Sequence, residues 1–355
     1  MSAEDEGPRP IAAEALGALH GFVEGQMTES NGAVFVNAVT DRLSIAGEAR
    51  NRDILSETVG QRMELALLEN DPAAFARQLD LIKAFQGKTG LLAWKMHQNP
   101  AWKAADSATI DDWRIAAACL RAAKLWKLEG AEEAAGNIAR AILKFQTPAR
   151  LFPVAIGIDI ANTSRDPIPL CYLMPGAILR LSGHVPELRE AAEAAFQVAT
   201  GGRIHPGLPA QRYDPEAGQW MHGRSDEVLA LLTLLEIQLV DARNPGIQEA
   251  IQIRLKRLAE FRHLPESWDS ATGEPSASPA GAAVYACFLR LLIRDGRLAE
   301  AAEPLKLMLE FQNKEGRFQG AIGGAPVYSF DQLEVMLTLA EFVAAKDHGM
   351  PEGAQ

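Results

Sequence analysis

Apolar positions recur at helical spacing along most of the chain, and period-2 alternation of β-branched residues is sparse. The pattern predicts helices near 10–26, 57–70, 73–86, 109–128, 131–146, 169–182, 186–199, 225–241, 246–262, 278–295, 297–312 and 329–346. These helices pair. Five second members close on Phe85-Gln86, Phe145-Gln146, Phe196-Gln197, Phe261-Arg262 and Phe311-Gln312, about 50 to 65 residues apart, the spacing of a two-helix repeat with a long loop. The last helix has no partner after it and the first has none before it, so joining those two closes a ring of six pairs. The expected fold is therefore all-α, an (α/α)6 barrel of inner and outer helices built as one domain over residues 1–355, with 1–9 and 347–355 as flexible ends. An open solenoid would need polar capping repeats, whereas both terminal helices carry apolar faces.

In such a ring the inner helices all run one way, and their N-termini share one mouth. The long connections at 87–108, 147–168, 200–224, 263–277 and 313–328 lead into those N-termini, and long loops on a rigid scaffold commonly carry function. They hold Trp94, Trp102, Trp220 and Trp268, four of the six tryptophans, with Trp113 just inside a helix start. Four inner helices also open with an acid: Glu57, Asp112, Asp226 and Asp331. At the first of them Ser56 reads as a helix cap, with Glu57 in the first turn.

Composition agrees with helix packing: 48% of residues are hydrophobic and 6% aromatic, so the core is built mainly from Ala, Leu, Ile and Val. A net charge of −11 argues against nucleic acid or an anionic membrane, either of which needs a concentrated basic face, and suits a neutral or cationic ligand. Cys119, Cys171 and Cys287 are isolated in apolar runs, which points to packing rather than to a metal cluster or a disulfide framework. No apolar run reaches the ~18 residues of a membrane-spanning helix. The acidic start, Met1 to Pro8, lacks the pattern of a secretory signal, which leaves a cytoplasmic protein or a mature form with its signal removed.

Several carboxylates around one cavity, with flat aromatic faces in the loops above, suit glycoside hydrolysis. One acid protonates the leaving oxygen, the other activates water or attacks the sugar, and tryptophans stack on sugar rings. The competing explanation is that first-turn acids serve the helix dipole and free N–H groups as simple caps. Their joint placement on inner helices favours the site. A tension follows, because a helix N-terminus lowers a carboxyl pKa whereas a general acid needs it raised, so burial and a neighbouring carboxylate must prevail at Glu57. His205, His222 and His263 fall in mouth loops without a metal-ligand spacing. Gly320, Gly323 and Gly324 lack the strand and lysine of a phosphate loop, and no Gly-x-Ser-x-Gly elbow occurs.

The run Ser56-Glu57-Thr58-Val59-Gly60-Gln61-Arg62-Met63-Glu64-Leu65-Ala66-Leu67 resembles the Ser-Glu-Gly-Gln-x-Tyr-Gly-Met-x-x-Ala-Leu signature of glycoside hydrolase family 8, bacterial endoglucanases, chitosanases and xylanases. Asp106-Ser107-Ala108-Thr109-Ile110-Asp111-Asp112-Trp113-Arg114-Ile115-Ala116 is similar to the family's Ser-Ala-(Thr/Ser)-Asp-Ala-Asp-Leu-x-Ile-Ala segment. Ser225-Asp226-Glu227-Val228-Leu229 stands for its Tyr-Asp-Ala-x-Arg, and Tyr328-Ser329-Phe330-Asp331-Gln332-Leu333 for a late Tyr-(Tyr/Phe)-Asp-Gln-x-Leu. The likeness runs in order over about residues 50 to 345 and implies the same six-pair barrel. Departures are Thr58 and Val59 for Gly-Gln, Arg62 for Gly, Ser225 for Tyr, and Leu229 for a substrate-orienting Arg.

The resemblance implies an inverting, endo-acting hydrolase of a β-linked polysaccharide, a β-1,4-glucan or a bacterial exopolysaccharide. Glu57 would be the general acid and Asp226 the base, while Asp112 would hold and twist the reacting sugar. An acid–base separation of roughly 6.5–9.5 Å leaves room for the water. Trp94, Trp113, Trp220 and Trp268, with Asp331 and Tyr328, are the expected substrate contacts. The chemistry needs no cofactor and no metal. The expected partner is a polysaccharide or oligosaccharide, with no nucleic acid and no membrane insertion, bound by a monomer; the family implies a periplasmic or extracellular place. Two alternatives stay open: another enzyme on this barrel (a lyase, unsaturated glucuronyl hydrolase or epimerase, for which His222 near Asp226 could handle the proton) and a non-catalytic polysaccharide-binding relative.

Overall fold

The computed structural model describes residues 7–38, 52–97, 102–319 and 327–345. Its helices are α1 (Pro8–Phe22), α2 (Ser56–Glu69), α3 (Pro72–Phe85), α4 (Thr109–Trp126), α5 (Ala131–Leu143), α6 (Pro175–Ser182), α7 (Arg189–Thr200), α8 (Glu227–Val240), α9 (Pro245–Phe261), α10 (Ala282–Arg294), α11 (Leu298–Leu309) and α12 (Ser329–Ala344). The expected loose ends are only partly addressed, since Pro8 and Arg9 already belong to α1 and 346–355 lie outside the described residues. The glycine run at 320–324 lies outside them too.

The even-numbered helices form the inner ring: α2 packs on α4, α4 on α6, α6 on α8, α8 on α10, α10 on α12, and α12 back on α2. Each odd-numbered helix lies outside its predecessor, and α1 closes the set against α12 and α11. This is the (α/α)6 barrel. Inner helices are enclosed on nearly every side, as in α10, where every residue from Ala282 to Ile293 is buried. Outer helices such as α5 bury one apolar stripe and show water an acidic and basic face.

Local chemistry sets the ends. Asp71 caps α3 through the Ala74 N–H at 2.9 Å, and Asn244 caps α9 through the Gly246 N–H at 3.0 Å; each precedes a proline whose missing N–H costs nothing in the first turn. The helix expected over 169–182 is broken. A 3-10 turn over Leu170–Leu173 is followed by Met174 at φ 45°, and Pro175 then opens α6, because a residue before proline is driven out of the α conformation. Phe196, expected near a helix end, lies inside α7.

The connections at the N-terminal mouth are knitted by short antiparallel ribbons: β1 (Ile54–Leu55) with β2 (Lys95–Met96); β3 (Ile168–Pro169) with β4 (Arg212–Asp214) and β5 (Gln219–Met221); and β6 (Arg224–Asp226) with β7 (Ser267–Asp269). Ile54 sits opposite Met96, Tyr213 opposite Trp220, and Ser225 opposite Trp268. β1 runs straight into α2, and β6 into α8. The ribbons therefore fix the first turns of the inner helices, where the acids lie.

Candidate active site

Ser56, expected as a cap, is the first helical residue of α2, and Leu55 takes the cap position. Its hydroxyl reaches across to α4 and donates to Asp111 Oδ2 at 2.6 Å, while its N–H donates to the Trp94 carbonyl at 3.1 Å. Glu57 follows, half-buried. Burial, and next the Asp111 charge, push its pKa up to about 8; Arg114 opposes the shift, while Glu334 and Asp331 add to it. Burial thus outweighs the helix N-terminus at Glu57.

The acid beside Glu57 on α4 is Asp111, not Asp112. Asp111 is buried, and its pKa is raised to about 6 by that burial against the Ser56 hydroxyl and Arg114. Asp112 has no exposed surface and accepts the Leu92 N–H at 3.2 Å, and burial holds its carboxyl well above the ordinary value. That position ties α4 to the loop before it and leaves no face for a sugar.

Asp331 on α12 is half-buried, with a pKa raised to about 6 by burial and then by Glu334 and Asp226. Glu57, Asp111, Asp331 and Asp226 thus form one electrostatically linked group, drawn from α2, α4, α12 and the start of α8. Asp226 is exposed and caps α8 through the Val228 N–H at 2.8 Å. Behind it, Glu227 is fully buried in a two-pronged pair with Arg254 of α9, at 2.6 and 2.9 Å. Tyr328, 44% exposed, precedes α12 at the same mouth, with its backbone bridged to Asn37.

The tryptophans divide. Trp94 is partly exposed, its carbonyl held by the Ser56 N–H one residue before Glu57, and Lys95 Nζ lies 5.2 Å from its ring centre. Trp113 is completely buried, edge-on to Phe152 at 5.0 Å, and Trp268 is 5% exposed, so neither offers a sugar a free face. Both were expected to contact substrate; the apolar interior claims them instead. Trp220 is half-buried, its indole N–H donating to the Val198 carbonyl at 2.9 Å and its ring edge-on to Tyr213. His222 faces Ser270 Oγ at 3.4 Å.

Sequence reasoning missed three contributors. Tyr172 lies in the broken turn before α6; burial, with the charges of Asp111 and Glu57, raises its phenol above the usual range. Gln61 and Glu334 join α2 to α12 beneath the acids: Gln61 Nε2 donates to Glu334 at 2.9 Å, and Arg290 Nη1 donates to it from α10 at 2.9 Å. Spacing would have exposed Gln61 and Glu334: Glu57, Gln61 and Glu64 form one helical stripe, Asp111, Arg114 and Arg121 another, and Asp331, Glu334, Thr338 and Glu341 a third. Polar stripes on otherwise apolar helices face the barrel axis. Among the described residues no group of His, Cys, Asp or Glu is placed to share a metal ion, and no helix is long and apolar enough to cross a membrane.

Residues 28–150 match the family model described as glycosyl hydrolases family 8. Both resemblance segments that hold Glu57 and Asp111 fall inside that range; Asp226 and Asp331 lie beyond it. The structure of endoglucanase Cel10, a family 8 glycosyl hydrolase from Klebsiella pneumoniae, superposes with TM-score 0.63 at 16% identity, over 91% of this chain and 98% of that one. The chain shares the (α/α)6 barrel fold of that structure. An endo-1,4-D-glucanase from Vibrio fischeri ES114 shares it at TM-score 0.68 and 17% identity, over 91% and 93% of the two chains. A protein described as a novel alpha-amylase from Clostridium perfringens shares it at TM-score 0.83 and 21% identity, over 93% and 97%. Among curated proteins no match to the sequence is found. The activity class that the family 8 match carries is glycoside hydrolysis.

Proposed function

We propose that the chain is an inverting, endo-acting hydrolase of a β-linked polysaccharide, a β-1,4-glucan or a bacterial exopolysaccharide. Glu57 is the general acid, Asp226 the base that activates water, and Asp111, in place of Asp112, the carboxylate that holds and twists the reacting sugar. One observation carries the reading: Glu57 sits within a group of acids with its pKa pushed up to about 8, so it holds its proton at neutral pH and can give it to a leaving oxygen. Asp226 is exposed at the same mouth and free to meet water. Inversion requires the two carboxyls to stand roughly 6.5–9.5 Å apart with the sugar between them. Trp94 offers a partly exposed stacking face, and Asp331 and Tyr328 line the approach. Family resemblance favours action in the periplasm or outside the cell.

A second reading concerns the linkage. The Clostridium perfringens protein, described as an alpha-amylase, superposes at the higher TM-score of 0.83, so starch belongs beside the β-linked substrates. The deciding experiment measures reducing ends released from carboxymethyl cellulose, chitosan, xylan, starch and the producer's own exopolysaccharide, with Glu57→Gln beside wild type. Hydrolysis by wild type, reduced about 10²–10⁴-fold in Glu57→Gln, is the expected result. Equal activity in the variant would remove Glu57 from the acid role. Oligosaccharide binding without turnover would replace the hydrolase by a binding protein.

A further inference from the structure

At the opposite end of the barrel, where the inner helices finish, the axis opens into a cavity of about 630 Å³, within the size range of small-molecule sites. In a chain of net charge −11, five arginines and three glutamates line it. Most of the acids there are already engaged. Glu341 takes Arg290 and Arg294 at 3.0 and 2.7 Å, and Glu236 accepts the Gly176 and Ala177 N–H groups at 3.1 Å each. Arg121 of α4 and Arg180 of α6 have no hydrogen-bonded or ion-paired acceptor among the described residues. Burial lowers the pKa of both, and neighbouring cations add to it: Arg180 and Arg294 at Arg121, and Arg294 at Arg180. Deeper in the cavity, Arg114 is 7% exposed and its Nη1 has no partner. Acids offset these charges only through space: Glu64 acts on all three, joined by Glu236 at Arg180, by Glu341 at Arg121, and by Glu334, Asp111 and Glu57 at Arg114.

Holding guanidinium groups together in a half-buried hollow is unfavourable unless an anion joins them. Planar guanidinium forks suit the paired oxygens of phosphate or carboxylate, and the leucine and isoleucine walls, Leu68, Leu235 and Ile293 among them, suit a compact organic body. We propose that this far cavity is a second binding site, separate from the acid-lined mouth, for a small organic oxyanion gripped by Arg121 and Arg180 with Arg114 beneath.

The test is calorimetric titration of the full chain at low ionic strength with inorganic pyrophosphate and, in parallel, citrate. Wild type is expected to bind one equivalent of at least one of them saturably. Arg121→Gln/Arg180→Gln is expected to weaken that binding at least tenfold while keeping the wild-type circular dichroism, since neutralising two mutually repelling cations does not strain the fold. Pyrophosphate alone would assign a phosphate ligand, and citrate alone a carboxylate. If the double variant does not fold, Arg121→Lys and Arg180→Lys keep the charge but lose the fork, and each should weaken binding severalfold. No saturable binding of either anion by wild type, or undiminished binding by folded variants, overturns the proposal.

Discussion

A carboxyl in the first turn of a helix ordinarily ionises easily, yet Glu57 holds its proton up to about pH 8 because burial and Asp111 act together. If Glu57 is the acid, hydrolysis should fall along an alkaline limb near pH 8, read from the pH dependence of kcat/KM. Asp111→Asn removes the second-largest cause of the shift, so that limb should move to lower pH as well as the rate falling; an unmoved limb would uncouple the two acids. Stability follows the same sign. A carboxyl whose folded pKa lies above its unfolded value binds more protons in the folded state, so stability declines as pH rises from about 4.5 to 8. Asp111 and Asp331, raised to about 6, act in the same direction. Glu57→Gln, which cannot ionise, should therefore melt higher than wild type at pH 9 and close to it near pH 4.5. Which of two adjacent aspartates faces the site was the hardest feature to read from the chain. Asp111 and Asp112 both sit in the first turn, and only the shared stripe of Asp111 with Arg114 and Arg121 separates them.

Among the elements, the inner helices were the most legible, because a helix enclosed by neighbours must be apolar nearly all round. Their ends were less so. The break at Met174-Pro175 was written in the proline, and it frees the turn that presents Tyr172; a window of apolar residues smooths over it. Trp268 misled because loop position stands for exposure only until a ribbon draws it inward, and Trp113, near the start of α4, turns into the core against Phe152. Helix α8 is anchored at its first residue, where Glu227 and Arg254 are both fully buried and doubly hydrogen-bonded. Arg254→Ala leaves the Glu227 carboxylate buried without its cation and should cost about 3–5 kcal/mol in urea denaturation. It should also lower activity, since Asp226 directly precedes Glu227 at the start of α8.

At the scale of the molecule, closure of the ring was readable from a simple mismatch: one helix with no partner after it and another with none before it. What no local pattern could give is how the seam is fastened. Gln61 to Glu334 spans 273 positions of the chain, and Gln312 to Ala15 spans 297. Joining such distant segments carries a loop-closure cost before any of the contacts repay it. On a ribosome, α2 emerges early, but the helix that completes its wall is the last of the ring to be made. Until α12 leaves the exit tunnel, α2 and α10 each face an empty place in the wall, and the apolar flanks meant for it stay open to water and to chaperones. The barrel is therefore expected to become resistant to protease abruptly, after synthesis has passed α12, rather than pair by pair as each repeat appears.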